Sequence, residues 1–249
     1  MKITFLGTSH GVPTAERNCS CTMLEINDSI YIIDAGAPVV EELLKRKKEI
    51  DKVKAVFTTH CHGDHTAGLF NMASLVDWYY EMATVEFYLT DHEIRKLAEQ
   101  YIYVSQYKQP TYERVKFIVV DEGVVYEDEN IRVHYILTKH PIHKDSNSPS
   151  YGILIEAEGK KVLFSGDLSG SLQAKDFPRI ALEESLDVII LEFAHFNYED
   201  VEPYLHNCMT KQLWLNHIYP LSKIDIVDEV RVEYPYPIII VEDGNEFVI

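Results

Sequence analysis

Short apolar runs alternate along the chain with polar stretches marked by glycine or proline, and their spacing lays out the elements. Residues 2–8 read as a strand running into the loop Gly7-Thr8-Ser9-His10-Gly11-Val12-Pro13. Residues 21–26 and 29–34 read as a hairpin about Asn27-Asp28, a turn-favouring pair. Pro38 is placed to begin a helix reaching about Lys48, and a strand follows over 53–59. Ala67, Leu69, Phe70, Met72, Ala73, Leu75 and Val76 then recur at helical spacing, which predicts a helix over about 67–82. A strand at 85–89 and a helix over 91–107, opened by Asp91, come next, and 115–137 is strand-rich. Residues 151–157 and 161–164 form a second hairpin about Glu158-Gly159. Strands at 188–191 and 213–215, a helix near 222–232, and strands at 237–241 and 246–249 complete the chain.

Each half carries strand, hairpin and helix elements in a similar order. That plan fits an α/β (α+β) chain in which two mixed β-sheets pack face to face with helices outside, an αββα sandwich, better than a doubly wound parallel sheet. No linker or low-complexity segment interrupts it, so residues 1–249 are expected to form one domain.

Polar residues gather where the apolar runs end. His60-Cys61-His62-Gly63-Asp64-His65 places three imidazoles and a carboxylate in six consecutive residues. In extended chain, residues i and i+2 share a face, so His60 and His62 can aim at one point. Gly63 lets the chain turn, and Asp64 and His65 can face a second point near the start of the following helix. Imidazole and carboxylate suit Zn²⁺ first, with Mn²⁺ or Fe as alternatives. His140, Asp167, Glu192 and His217 each follow another apolar run, with His195 close behind Glu192. Strands sharing a sheet edge would bring these residues to one site. Taken singly, each of them is more often a satisfied structural group.

Charge narrows the partners. The net charge of −17 argues against a broad basic groove for long nucleic acid, while a metal site still draws a small anionic substrate locally. The basic cluster Lys45-Arg46-Lys47-Lys48 reads as a solvated helix end. Cysteines 19, 21, 61 and 208 make no zinc-finger spacing, and Cys61 reads as a packing residue. The first residues read as a strand and not a leader, and no apolar run approaches ~18 residues. The expectation is therefore a soluble, cytoplasmic protein without membrane contact and with reduced thiols. A homodimer is left open.

The series His60-x-His62-x-Asp64-His65, His140, Asp167 and His217 resembles the metallo-β-lactamase superfamily of binuclear metallohydrolases. Gly7-Thr8 and Asp34-Ala35-Gly36 match its opening strands, so the resemblance spans nearly the whole chain. It implies that His60, His62 and His140 hold one divalent ion, that Asp64, His65 and His217 hold a second, and that Asp167 bridges them. A hydroxide shared by the two ions would be the nucleophile. Asp34 would stand behind a ligand, although a turn-forming role suits it equally. Phe5-Leu6-Gly7-Thr8-Ser9-His10-Gly11-Val12-Pro13 and Leu191-Glu192-Phe193-Ala194-His195 are similar to the ribonuclease Z group and its small phosphodiesterase relatives. That likeness implies His195 as the general acid, oriented by Glu192, with Asp64 serving both the metal and the chemistry.

Ribonuclease Z carries a long tRNA-gripping arm between the positions matching His140 and Asp167. Here a strand hairpin already fills that interval, which brings the chain nearer to the phosphonate-pathway cyclic phosphodiesterase. Asn147, Ser148 and Ser150 are candidates for contacts to phosphate oxygens, and His10 for lining the pocket. His92, His134, His143 and His206 are expected to lie elsewhere. A phosphodiesterase on a small or cyclic phosphodiester is thus the leading reading. Thioester or lactone hydrolysis, which has no obvious need of Glu192 and His195, is one alternative, and a non-catalytic metal-bound sensor is another. Oxygen chemistry of the flavodiiron kind is disfavoured, since it would place a glutamate where His62 stands.

Overall fold

The computed structural model describes residues 1–140 and 148–249. Two seven-stranded sheets pack face to face. The first is built from β1 (Lys2–Gly7), β2 (Cys21–Ile26), β3 (Ser29–Ala35), β4 (Val53–Phe57), β5 (Val85–Leu89), β6 (Val115–Val119) and β14 (Glu246–Val248), in the order β14-β1-β2-β3-β4-β5-β6. The second comprises β7 (Gly123–Glu127), β8 (Ile131–Thr138), β9 (Ser150–Ala157), β10 (Lys160–Phe164), β11 (Val188–Phe193), β12 (Leu213–Ile218) and β13 (Ile238–Ile240), in the order β13-β12-β11-β10-β9-β8-β7. Helices α1 (Val39–Lys45), α2 (Gly63–Trp78) and α3 (His92–Gln106) accompany the first sheet. Helices α4 (Ile180–Glu183), α5 (Tyr198–Leu205) and α6 (Lys223–Val230) accompany the second.

Side-chain alternation builds the layers. Along β3, Ile30 and Ile32 join a core with Leu69, Met72 and Val76 of α2, while Tyr31 and Ile33 point into the space between the sheets. There they meet Tyr135, Ile153, Ile155, Ile190 and Trp214 of the second sheet. Leu163, Ile189, Leu191 and Leu213 turn the other way, towards Ala181, Val201, Leu205 and Val227 of the outer helices. Period-two alternation with both faces apolar is what a strand covered on both sides requires. The expected αββα sandwich is the observed architecture.

Both sheets repeat one plan. In each, antiparallel hairpin strands lead into parallel ones: β3, β4, β5 and β6 in the first sheet, β10, β11, β12 and β13 in the second. Parallel strands end on the same side, and the residues after β3, β4, β10, β11 and β12 share one rim, where sites in such sheets form.

Two helix boundaries differ from expectation, and α5 is an added element. Helix α2 begins at Gly63, four residues earlier than its apolar period suggests, so Asp64 and His65 occupy its first turn. Polar residues that serve a site hide a helix start from a hydrophobicity pattern. Helix α1 stops at Lys45, with Lys47 in the left-handed region, and Lys45 and Arg46 pair with Glu42 at their own helix end. Helix α5 was not anticipated; Asn197 and Asp200 form a reciprocal capping box at its start, but Pro203 within it obscures the period.

Candidate metal centre

β4 delivers the chain into the site. After Phe57 the strand ends, the chain bends at Thr59, and α2 then opens at Gly63. The close approach of α2 to the first sheet depends on Gly36: a Cβ there would overlap the Asp64 carbonyl oxygen. Asp34-Ala35-Gly36 is thus a contact surface for the metal-loop helix as well as a strand end.

Two clusters of side chains result. In the first, His60, His62, His140 and Asp167 bring their ligand atoms within 4.8 Å of one another. His60 Nε2 and His140 Nε2 stand 2.9 and 3.2 Å from His62 Nδ1. In the second, Asp64, His65 and His217 do the same. Asp167 is buried among them, its carboxylate oxygens 3.4–3.8 Å from ring nitrogens of His60, His65, His140, His195 and His217. All seven residues expected as ligands come together, and Asp167 stands between the two groups.

Their outward nitrogens fix the tautomers. The Leu168 carbonyl can only accept, so His140 Nδ1, 3.1 Å away, carries the proton and leaves Nε2 free as a donor of electrons. Asp34 takes the His65 Nδ1 proton at 2.8 Å in the same way. Thr59 donates its hydroxyl proton to Asp34 and accepts from His60 Nδ1 at 3.1 Å. Ser20 Oγ lies 2.9 Å from His217 Nδ1. His65 Nε2 is then a buried nitrogen with no hydrogen-bond partner, facing Asp64 and Asp167. A buried ring nitrogen without a hydrogen-bond partner beside two carboxylates, and two ring nitrogens converging on a third ring, are arrangements that a divalent cation satisfies. The donor set fits a metal, with imidazole and carboxylate ligands and no thiolate.

The electrostatics divide along the same line. Burial drives the His60 and His62 imidazoles below their ordinary range. Burial also acts on His65, but the carboxylates of Asp167 and Asp34 outweigh it and hold its ring well above that range. Asp64 is buried as well, yet the neighbouring charges of His65 and His217 keep its carboxyl below the usual carboxylate range. Asp167 behaves likewise under the charges of His217, His65 and His60.

Beside the clusters stands the Glu192–His195 pair. Glu192, 4% exposed, is the penultimate residue of β11, whereas the His195 side chain is one-third open to solvent. Glu192 Oε1 lies 3.2 Å from His195 Nδ1, and Oε2 accepts from the amides of Ala194 at 2.6 Å and His195 at 3.2 Å. Burial lowers the His195 pKa and the Glu192 hydrogen bond and charge raise it, with a net rise. His195 thus pairs with a carboxylate through Nδ1 and leaves Nε2 for other work. It also forms a ligand-like group with Asp167 and His217, but its exposure and its carboxylate partner suit a proton-transfer role better.

The other expected residues are placed as follows. His10 stacks on Tyr219 at 3.8 Å between ring centroids, close enough to His217, Asp64 and His195 for their charges to act on it. The Ser148 and Ser150 hydroxyls are engaged within the protein. Ser150 is buried, accepts from the His140 amide at 2.9 Å and lies 3.1 Å from Thr138 Oγ1. Ser148 donates to Asp91 and lies 3.4 Å from Cys61 Sγ. Ser150 therefore positions His140 where a phosphate contact was expected, because the β8–β9 pairing turns its hydroxyl inward. Asn147 and His143 lie outside the described residues. His92, His134 and His206 join no metal-type cluster among the described residues. Thr59, Ser20 and the Leu168 carbonyl were missed: serine and threonine are too common to stand out, and a carbonyl has no sequence signature.

The chain resembles several known proteins. Ribonuclease Z of Crocosphaera subtropica is 30% identical over 174 residues, covering 69% of this chain and 53% of the relative, so the chain spans about half the length of the curated relatives it matches. Among solved structures, the metallo-β-lactamase fold protein YhfI of Bacillus subtilis superimposes with a TM-score of 0.77 at 19% identity, covering 99% of each chain. Human tRNase Z, short form, gives 0.75 at 18%, covering 100% of this chain and 99% of that one. A diphosphatase of the PhnP family gives 0.69 at 18%, covering 100% and 97%. These place the chain in the metallo-β-lactamase fold, as the ligand series implied. The family described as Anti-Pycsar protein Apyc1 matches residues 1–226, and the chain belongs to that family.

Proposed function

We propose that the chain is a metal-dependent phosphodiesterase that binds two divalent ions and hydrolyses a small or cyclic phosphodiester. The observation that carries this reading is the Glu192–His195 pair set against the two ligand clusters. A thiolate leaving carbon in thioester hydrolysis needs no proton from such a pair, whereas an alkoxide leaving phosphorus does. The names ribonuclease Z and diphosphatase belong to relatives and neighbours that cleave at phosphorus, which supports the same choice.

His60, His62 and His140 would hold one ion and Asp64, His65 and His217 the other, with Asp167 shared between them. Zn²⁺ suits this donor set, and Mn²⁺ or Fe are the alternatives. When bound, such a pair supplies hydroxide at neutral pH and positive charge for phosphoryl oxygens. The protein does the rest. Asp34, Thr59, Ser20 and the Leu168 carbonyl hold four rings in their ligating tautomers. Glu192 holds His195 Nδ1 so that Nε2 gives its proton to the departing oxygen, and the carboxylate stabilises the imidazolium beforehand. The chain carries β9 and β10 between His140 and Asp167, leaving little room for a long arm to grip tRNA.

The test is turnover of bis(p-nitrophenyl) phosphate and of ribonucleoside 2′,3′-cyclic phosphates with Zn²⁺ or Mn²⁺ supplied. His195→Ala is expected to lower kcat on the cyclic substrate by about 10²–10⁴-fold. Failure of the metal-loaded protein to cleave any phosphodiester would sink the reading. Thioester cleavage unaffected by His195→Ala would favour the other hydrolase class.

A further inference from the structure

Lys223 opens α6 and is 7% exposed, yet its ammonium makes no ion pair among the described residues. Its three protons go instead to main-chain carbonyls: Phe193 at 3.1 Å, Ala194 at 3.0 Å and Phe196 at 2.7 Å. It also lies 4.9 Å from the centre of the Phe193 ring. A buried ammonium without a carboxylate is costly, and burial lowers its pKa accordingly. All three acceptors belong to the short segment that carries His195.

That segment is gripped from the other side too. Glu192 accepts from the Ala194 and His195 amides, so its amide edge faces the carboxylate while its carbonyl edge faces Lys223. The one carbonyl Lys223 does not take, that of His195, lies against Gly170, where a Cβ would overlap it. Segment 193–196 is thereby fixed through its backbone, and the direction of the His195 ring follows from that backbone.

We propose that Lys223 is a positioning residue for His195: its ammonium clamps the Phe193, Ala194 and Phe196 carbonyls and so aims the imidazole at the departing oxygen. This rests on the reading of His195 as proton donor. The clamp acts on proton delivery and leaves the ligand clusters intact.

The experiment compares two phosphodiesters on the metal-loaded protein. Nitrophenolate leaves bis(p-nitrophenyl) phosphate without needing a proton, whereas the alkoxide of a ribonucleoside 2′,3′-cyclic phosphate needs one. Lys223→Met is expected to lower kcat on the cyclic substrate by about 10–100-fold while changing turnover of the nitrophenyl ester by less than about threefold, the pattern also expected of His195→Ala. Metal content should stay at the wild-type value, and amide hydrogen exchange should quicken over 193–197 alone. Should Lys223→Met fail to fold, Lys223→Gln, which keeps a donor for one or two of the carbonyls, should show a milder form of the same selectivity. The proposal is overturned if His195→Ala discriminates between the substrates and the Lys223 variant does not, or if the variant slows both substrates alike. If His195→Ala itself slows both equally, the proton-donor reading fails first, whatever Lys223 does.

Discussion

The two ligand clusters are built from similar parts and supported in different ways. Around His60, His62 and His140, support mixes main chain and side chain: the Leu168 carbonyl fixes the His140 ring, the Ser150 hydroxyl holds its amide and the Thr59 hydroxyl faces His60 Nδ1. Around Asp64, His65 and His217, support comes from side chains, with Asp34 behind His65 and Ser20 behind His217. The second cluster also carries its own carboxylate, while the first draws its negative charge from Asp167. The difference separates ligand affinity from ligand orientation. Orientation by a carbonyl survives almost any point substitution, and orientation by a side chain does not.

Substitutions should expose that asymmetry in descending order. Asp167→Ala removes the one group both clusters share, and phosphodiesterase activity should fall by several kcal/mol of barrier lowering, roughly 10³-fold or more. Elemental analysis should show less than the full metal complement; full metal with full activity would remove Asp167 from the centre. His62→Ala and His65→Ala each strike one cluster. Each should cost one ion per chain and leave the other, and loss of both ions from either variant would show that the clusters are not separable.

Smaller effects test the supports. Asp34→Asn should weaken metal binding by about 10–100-fold, because it removes the charge and leaves one acceptor oxygen where Thr59 and His65 Nδ1 now share two. Ser20→Ala should fall at the low end of that range, about tenfold, since it removes a neutral partner of His217. Isothermal titration of each variant checks the order, and an Asp34→Asn protein that binds both ions as tightly as wild type would contradict the contrast. Ser150→Ala should cost about 1–3 kcal/mol in urea unfolding by stranding the buried His140 amide, with the second cluster's affinity unchanged.

Legibility in the sequence followed how each group is used. His60, His62, Asp64 and His65 were readable as candidate ligands because three imidazoles and a carboxylate lie within one short segment, and their partners because each closes an apolar run. Asp34 was readable as a residue behind a ligand because it sits in a strand-end motif, although its partner was not. The engagement of Ser150 with His140 and Thr138 was not legible, because which way its side chain points depends on register with β8, and register is a property of two strands. The start of α2 was misplaced because its first turn is polar for the sake of the site.

The sequence by itself determined the layered fold, through apolar runs at strand and helix spacing, and the imidazole and carboxylate chemistry of the candidate ligands, through residue type. Tertiary structure brings about the division into two clusters that the resemblance implied, since Asp64 and His65 meet His217 only when α2 turns beside the end of β12. It also decided which ring nitrogens face inward, because tautomers depend on carbonyls and hydroxyls distant in the chain. The role of Lys223 belongs to the same class. A lysine at a helix start reads as an ordinary surface charge, and only the fold brings three carbonyls to its ammonium.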